Sequence, residues 1–227
     1  GADQRGEFGL DASRLAIVIP AYNEAETIRD VVESVAHVGR VFVVDDASTD
    51  ATAAQAEQAG ATVVRQAPNQ GYDAALEAGV SAASLNDAIA VITMDADGQH
   101  QPRDVEKIAR QLANGHDLVL GVRACKARFA ERVFAGVLYV RWRIRDPLSG
   151  LKGYSLRLYR NEGFFDRRRS TGTQLMVRAL RRGVEAHQVP ITVVPRISES
   201  PRFGSTLRAN LRILGSLMRV LPLVLRS

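Results

Sequence analysis

The chain has little cysteine, little aromatic content and almost no lysine. Cys125 is the only cysteine in 227 residues, so an intramolecular disulfide framework is excluded and a reducing compartment is expected. Aromatic residues make up 6% of the chain, with a single tryptophan, and no nucleic-acid module is recognisable; a nucleic-acid partner is therefore not expected. No uncharged apolar run approaches the ~18 residues of a membrane-spanning helix. Gly1 to Gly9 are polar and glycine-rich, unlike a secretory leader. There is no internal repeat and no low-complexity tract.

What is present is ordinary in bulk and uneven in distribution. The chain is 46% hydrophobic and 24% charged, as expected of a soluble globular domain large enough to bury a core without staples. Its net charge of +5 hides a segregation of sign. Residues 1–120 carry 8 Lys/Arg against 19 Asp/Glu, a balance of −11. Residues 121–227 carry 22 against 6, a balance of +16. One half suits cations; the other suits anions such as phosphate or an anionic membrane. The positive charge is almost all arginine, 27 against 3 lysines.

Hydrophobic patterning predicts alternating strands and helices. Leu15–Pro20, Val41–Val44, Ala61–Val64, Asp87–Met94 and Asp117–Gly121 read as strands. Between them come a helix on Ile28, Val31, Val32 and Val35, one capped by Ser48 and running to Ala59, one over Gly71–Ala83, and one opened by Pro102. Such alternation means βαβ units and a mostly parallel sheet, with ligands outside the carboxyl ends of the strands. Beyond residue 122 the pattern changes. Residues 126–145 form a basic amphipathic segment with Phe129, Val133, Val137 and Val140 as its apolar side. A polar turn follows at Asp146–Gly150, then a helix near 172–182 and a strand near 187–194. A last helix is expected over 205–226, with Leu207, Leu211, Leu214 and Met218 as its apolar stripe, an arginine stripe at 208, 212, 219 and 226, and a kink or stop at Pro222.

The most informative stretch is Met94-Asp95-Ala96-Asp97-Gly98-Gln99-His100. Carboxylates at i and i+2 of a strand end point to one side. With the Gln99 carboxamide they form an all-oxygen donor set suited to Mg²⁺ or Mn²⁺ carrying a phosphate, and unsuited to zinc. A solvated Asp-Gly turn would have the same composition.

Four elements occur in fixed order: Ile19-Pro20-Ala21-Tyr22-Asn23-Glu24, Val44-Asp45-Asp46-Ala47-Ser48-Thr49-Asp50, Asn69-Gln70-Gly71-Tyr72-Asp73 through Gly79, and the Asp95–His100 loop. Together they resemble family 2 of the glycosyltransferases, closely over residues 14–125 and loosely through Asp146–Gly150 and Val189-Pro190-Ile191. Within the family, Asp-x-Asp-x-Gln-His and Gly121-Val122-Arg123 resemble the dolichyl-phosphate mannose synthase and bacterial polyprenyl-phosphate branch. The resemblance implies a GT-A fold, Rossmann-like, with helices on both faces of the sheet and added C-terminal amphipathic helices. It divides the chain into a flexible 1–13, a nucleotide-sugar half 14–122, an acceptor half 123–204 and a C-terminal amphipathic helix 205–227.

The resemblance also implies roles. Pro20, Tyr22, Glu24, Asp45, Asp46, Gly71 and Asp95 would meet the nucleotide sugar, with Asp46 favoured over Asp45 as a donor contact and Gly71 opening an anion site at a helix start. Asp95, Asp97 and Gln99 would hold the metal. Arg123, Arg196 and Arg202 would meet acceptor phosphate, and Asp97, Arg123 and Asp146 would form the catalytic group. Asp146 stands where the family places a general base for hydroxyl acceptors; an anionic lipid phosphate needs no base, and Asp146 then positions. Departures cluster on the acceptor side: Gln174 and Gln188 replace the usual Glu, and no Lys follows Ser205. Ala47 replaces a usual glycine. The histidines and Cys125 are expected to be incidental, with His100 assisting the metal loop.

The implied activity is an inverting, metal-dependent transfer from a UDP- or GDP-sugar to a polyprenyl phosphate, carried out from the cytoplasmic side on the inner face of a membrane. Transfer to a sugar hydroxyl in polysaccharide or lipopolysaccharide assembly, and a non-catalytic nucleotide-sugar-binding protein, stand as the other readings. A homo-oligomer is left open.

Overall fold

A computed structural model describes residues 12–124, 129–167, 169–194 and 206–225, the last segment's residues 206–209 by backbone alone. After one 3-10 turn at Ala12–Arg14, the elements run β1 Leu15–Ala21, α1 Ile28–Val35, β2 Arg40–Asp46, α2 Thr52–Gln58, β3 Thr62–Gln66, α3 Tyr72–Leu85, β4 Ala90–Thr93, α4 Pro102–Ala113 and β5 Leu118–Arg123. They continue with α5 Phe129–Trp142, β6 Lys152–Ser155, α6 Leu156–Glu162, α7 Gln174–Arg181, β7 Ala186–Ile191 and α8 Thr206–Leu225. The seven strands make one sheet in the order β3-β2-β1-β4-β6-β5-β7. Every pairing is parallel except those of β6, which runs against both β4 and β5.

The sheet is covered on both faces. All seven residues of β1 are buried, which is why its sequence is an unbroken apolar run without alternation. Leu15, Ile17 and Ile19 belong to one core with α1 and α4; Ala16 and Val18 belong to the other with α3, α5, α7 and α8. The helical stripe Ile28, Val31, Val32, Val35 is buried throughout. So is Val105, Ile108, Ala109, Leu112 behind the helix-opening Pro102.

Several expectations are corrected. Ser48 does not cap α2. Its hydroxyl accepts the Asn23 N–H at 3.0 Å, and the helix begins at Thr52, whose N–H is taken by Asp50 Oδ1 at 2.9 Å. The fourth strand is shorter than expected, because Asp87 turns with φ of 60°. In α5 the buried residues are Ala130, Glu131, Phe134, Ala135 and Leu138, whereas Val140 is 82% exposed and Phe129 is 70% exposed. In α8, Leu217, Val220, Leu223 and Val224 are buried while Leu211 and Met218 face outward. Pro222 lies in the last turn of α8, which runs on to Leu225. The carbonyl it leaves unbonded is that of Met218, on the exposed side within reach of water. β6 and α6 were not foreseen, since Lys-Gly-Tyr-Ser carries no strand pattern. The stretch 1–13 lies outside the described residues except for its last two.

Ala47, at the tip of β2, has φ of 63°. This left-handed conformation costs an L-residue about 1–2 kcal/mol and glycine nothing steric. Ala47→Gly should therefore raise stability by up to about 1 kcal/mol after the extra chain entropy of glycine is deducted. Urea denaturation tests this, and a lower midpoint would contradict it.

Candidate active site

The carboxyl ends of β1, β2, β4 and β5 share one edge of the sheet. Because β6 is reversed, its beginning lies on that edge too, and the turn Asp146–Leu151 hangs over it. The loops after β1 and β2 are zipped together. Thr49 N–H donates to Asn23 Oδ1 at 2.8 Å, Glu24 N–H to Thr52 Oγ1 at 2.7 Å and Ala25 N–H to Asp50 Oδ2 at 3.2 Å. This clasp presents Tyr22, which is exposed, beside buried Pro20, Glu24 and Asp45.

Asp46 is bonded to the loop before α3. Its two carboxylate oxygens accept the N–H groups of Gln70 and Gly71, each at 2.7 Å, and its carbonyl accepts from Asn69 Nδ2 at 2.8 Å. The anion at the start of α3 is thus the protein's own carboxylate, and the Gly71 N–H is engaged by it. Asp45 accepts only the Ser48 N–H at 3.2 Å among the described residues.

Asp95 and Asp97 follow β4. Asp95 is partly exposed; its oxygens meet the Tyr72 hydroxyl and His100 Nε2, each at 3.3 Å. Burial pushes this carboxyl upward, but His100, Tyr72 and the charge of Lys152 outweigh it and hold it below the usual range. Tyr72 is pushed well up, first by burial and then by Asp95, so it stays a hydrogen-bond donor. Asp97 is buried and accepts the Gln99 N–H at 3.2 Å. Gln99 is anchored through Nε2 to the Val194 carbonyl at 3.1 Å. Among the described residues no three His, Cys, Asp or Glu side chains gather as a self-sufficient metal cage. Two carboxylates and a carboxamide instead fit a hard divalent cation that brings phosphate oxygens with it.

Arg123 and Asp146 come together in a part-buried clamp. Arg123 donates through Nε at 2.7 Å and Nη2 at 2.9 Å to the two oxygens of Asp146, and its backbone N–H adds a third bond at 3.1 Å. Nη2 also reaches Glu131 at 3.1 Å. Asp146 is 1% exposed. Burial opposes the charge on Arg123, and Asp146 and Glu131 more than restore it. Beside the clamp lies a groove of about 650 Å³ lined by Arg123, Arg132, Gly136, Tyr139, Arg145 and Pro190. Arg132 and Arg145 are exposed there and form no ion pair among the described residues. Arg196 and Arg202 lie outside the described residues.

Sequence reasoning gave no role to Tyr72, Glu131 and Lys152, and placed Arg132 and Arg145 among the arginines of the basic amphipathic segment 126–145 without singling them out. Arg145 directly precedes Asp146, and Lys152 is one of only 3 lysines beside 27 arginines; both facts were visible signals. Lys152 is buried on β6, and burial pulls its ammonium down to about 8 against the charges of Asp146, Asp95 and Asp166.

Asp95 lies flat on Gly150: a Cβ there would stand 2.2 Å from Asp95 Oδ2. Gly150→Ala must push this carboxylate aside while leaving the backbone in place. Calorimetric titration with Mn²⁺ in the presence of a nucleoside diphosphate should show at least about tenfold weaker binding, roughly 1.4 kcal/mol, at an unchanged melting temperature.

The chain is similar to known proteins. The sequence model described as Glycosyl transferase family 2 matches residues 16–171. An uncharacterized glycosyltransferase of Mycobacterium tuberculosis is 33% identical over 210 residues, 87% of this chain and 93% of that protein. A dolichol-phosphate mannosyltransferase of Pyrococcus furiosus is 28% identical across 91% of this chain and 64% of its own length. Among solved structures, glucosyl-3-phosphoglycerate synthase from Mycobacterium tuberculosis, in complex with Mn²⁺ and UDP-glucose, superposes with a TM-score of 0.70. That match covers 90% of this chain and 79% of that one at 24% identity, which shows a shared GT-A fold. With its four ordered motifs on one sheet edge and the family match across most of its length, the chain belongs to glycosyltransferase family 2 and is a glycosyltransferase.

Proposed function

We propose that this enzyme passes a sugar, with inversion, from a UDP- or GDP-sugar to a polyprenyl phosphate at a membrane surface. The observation that carries this is the state of Asp146. It stands where a hydroxyl acceptor would need its general base, yet it is buried with both oxygens held by Arg123. A base so engaged is badly placed to take a proton. An acceptor phosphate needs no deprotonation, and the neighbouring groove offers Arg132 and Arg145 to an anion. The name of the Pyrococcus furiosus relative agrees with such an acceptor.

In this reading Tyr22, Glu24, Asp45 and Pro20 hold base and ribose. Asp46 acts one step back by fixing the Asn69–Gly71 loop. Asp95, Asp97 and Gln99 would hold Mg²⁺ or Mn²⁺, whose charge would offset that of the nucleoside diphosphate. Arg123, fixed by Asp146 and Glu131, with Arg132 and Arg145 beside it, aligns the acceptor phosphate oxygen for attack on the anomeric carbon opposite the leaving group. Arg196 and Arg202 are assigned to the same acceptor phosphate.

The surface around the groove suits a membrane. No helix among the described residues is long and apolar enough to cross one. α5 and α8 pack together and expose Phe129, Tyr139, Val140, Leu211 and Met218 among Arg132, Arg141, Arg143 and Arg212. Apolar side chains set among arginines match the boundary of an anionic bilayer.

Release of UDP or GDP from a panel of nucleotide sugars, with Mn²⁺ or Mg²⁺, should require a short polyprenyl phosphate. It should fall at least about 100-fold in Asp97→Ala. Arg145→Ala should raise KM for the lipid about tenfold, as expected for a lost charged hydrogen bond. Donor binding with release stimulated only by sugar hydroxyls would transfer the enzyme to polysaccharide assembly; binding without release under any condition would leave a binding protein.

Co-sedimentation with phosphatidylglycerol vesicles should be lost in the double variant Leu211→Asp, Met218→Asp, whose side chains are exposed, with melting temperature unchanged. Undiminished sedimentation would remove α8 from the membrane-facing surface.

A further inference from the structure

Lys152 opens β6, opposite Thr93 on β4 and Leu120 on β5, on the edge where Asp95 and Asp146 stand. It is 3% exposed. Its ammonium makes one hydrogen bond among the described residues, a long one of 3.4 Å to the Gly172 carbonyl. Two of its three N–H groups therefore lack an acceptor. Ser149 Oγ and Tyr154 Oη, from the same stretch, are also buried without a partner. Tyr154, two residues on, lies on the same face of the strand as Lys152. Burying unmet donors is costly, and a methionine would fill the space without that cost. Such a group is a candidate for ligand binding.

The surrounding charges identify the ligand atom. Asp146, Asp95 and Asp166 favour the ammonium, and Arg123 opposes it. A phosphate entering this ring of carboxylates would meet like charge. A neutral hydroxyl would not: it accepts from an ammonium and donates to a carboxylate at once. The Gly172 loop that steadies Lys152 is itself fixed. Gly172 N–H donates to Asp73 Oδ1 at 2.7 Å, Ser170 N–H to Asp166 Oδ1 at 3.2 Å, and the Thr171 hydroxyl pairs with Ser216 of α8 at 2.9 Å. The loop that holds the cation is thus itself held in place.

We propose that Lys152 determines donor-sugar specificity, giving its unfilled N–H groups to hydroxyl oxygens of the transferred sugar. This rests on the nucleotide-sugar reading above. A site built to bond hydroxyls discriminates strongly against sugars that lack them or orient them otherwise.

The test is calorimetry in Mn²⁺ with UDP, GDP and a panel of their sugar conjugates, on wild type, Lys152→Met and Lys152→Arg. In wild type at least one sugar should add about tenfold to the affinity of its bare nucleotide. Lys152→Met should keep bare-nucleotide affinity within about twofold and lose that sugar-dependent gain. Lys152→Arg keeps the cation among its carboxylates but displaces its donors. It should also lose the gain or change the ranking of sugars, and it carries the comparison if the Met variant fails to melt cooperatively. A gain unchanged in the variants overturns the proposal, as does a parallel fall in bare-nucleotide affinity, which would place Lys152 on the diphosphate. A wild type that binds nucleotide but gains nothing from any sugar also overturns it. A wild type that binds no nucleotide would instead overturn the donor reading.

Discussion

The clamp between Arg123 and Asp146 is the interaction on which the site depends. It joins the end of β5 to the turn that feeds β6, and through Glu131 it also fixes the first turn of α5. Those elements come from three separate stretches of chain. Without the clamp, a basic helix, an acidic turn and a strand end would each be free to choose its own geometry. A bidentate arginine–carboxylate pair imposes direction as well as attraction. Its burial raises the cost of breaking one partner well above the value of a surface ion pair.

A second constraint is electrostatic. The first half of the chain carries most of the acids and the second half most of the arginines, and the fold brings members of both to one edge. Asp46 shows how the acidic half tolerates its own charge: its carboxylate is met by two backbone N–H groups at a helix start, where the helix dipole also favours it. Arginines on the other side remain exposed beside the groove. The result is an acid-rich region and an arginine-lined groove across the ends of a few strands.

The parallel part of the molecule was readable from sequence because its strands are buried on both faces and its helices carry stripes of period 3.6. Ile28, Val31, Val32 and Val35 show this without ambiguity. The Asp95–Gln99 loop was readable for a chemical reason, the grouping of oxygen donors at a strand end. The second half was harder. In α5 and α8 apolar residues occur on both the packed and the open side, so two stripes compete, and Val140 and Met218 belong to the wrong one. β6 has four residues and a lysine, and only its two neighbours make it a strand. The bonds of Asp46 were not legible, because sequence shows a carboxylate but not the backbone donors that meet it.

The reversed insertion of β6 has a consequence for how the chain becomes a protein. β4 pairs with β1 on one side, but its other partner begins only at Lys152. During synthesis, β1 to β4 can assemble with their helices while one edge of β4 waits for a strand roughly sixty residues downstream. A hydrophobic edge left open in this way is a site for pairing with another chain. The short four-residue length of β4 limits that hazard. Entry of β6 therefore links β4 to β5 and brings the Asp146–Leu151 turn to the edge in the same event, and a nascent chain cut before Ser155 has neither.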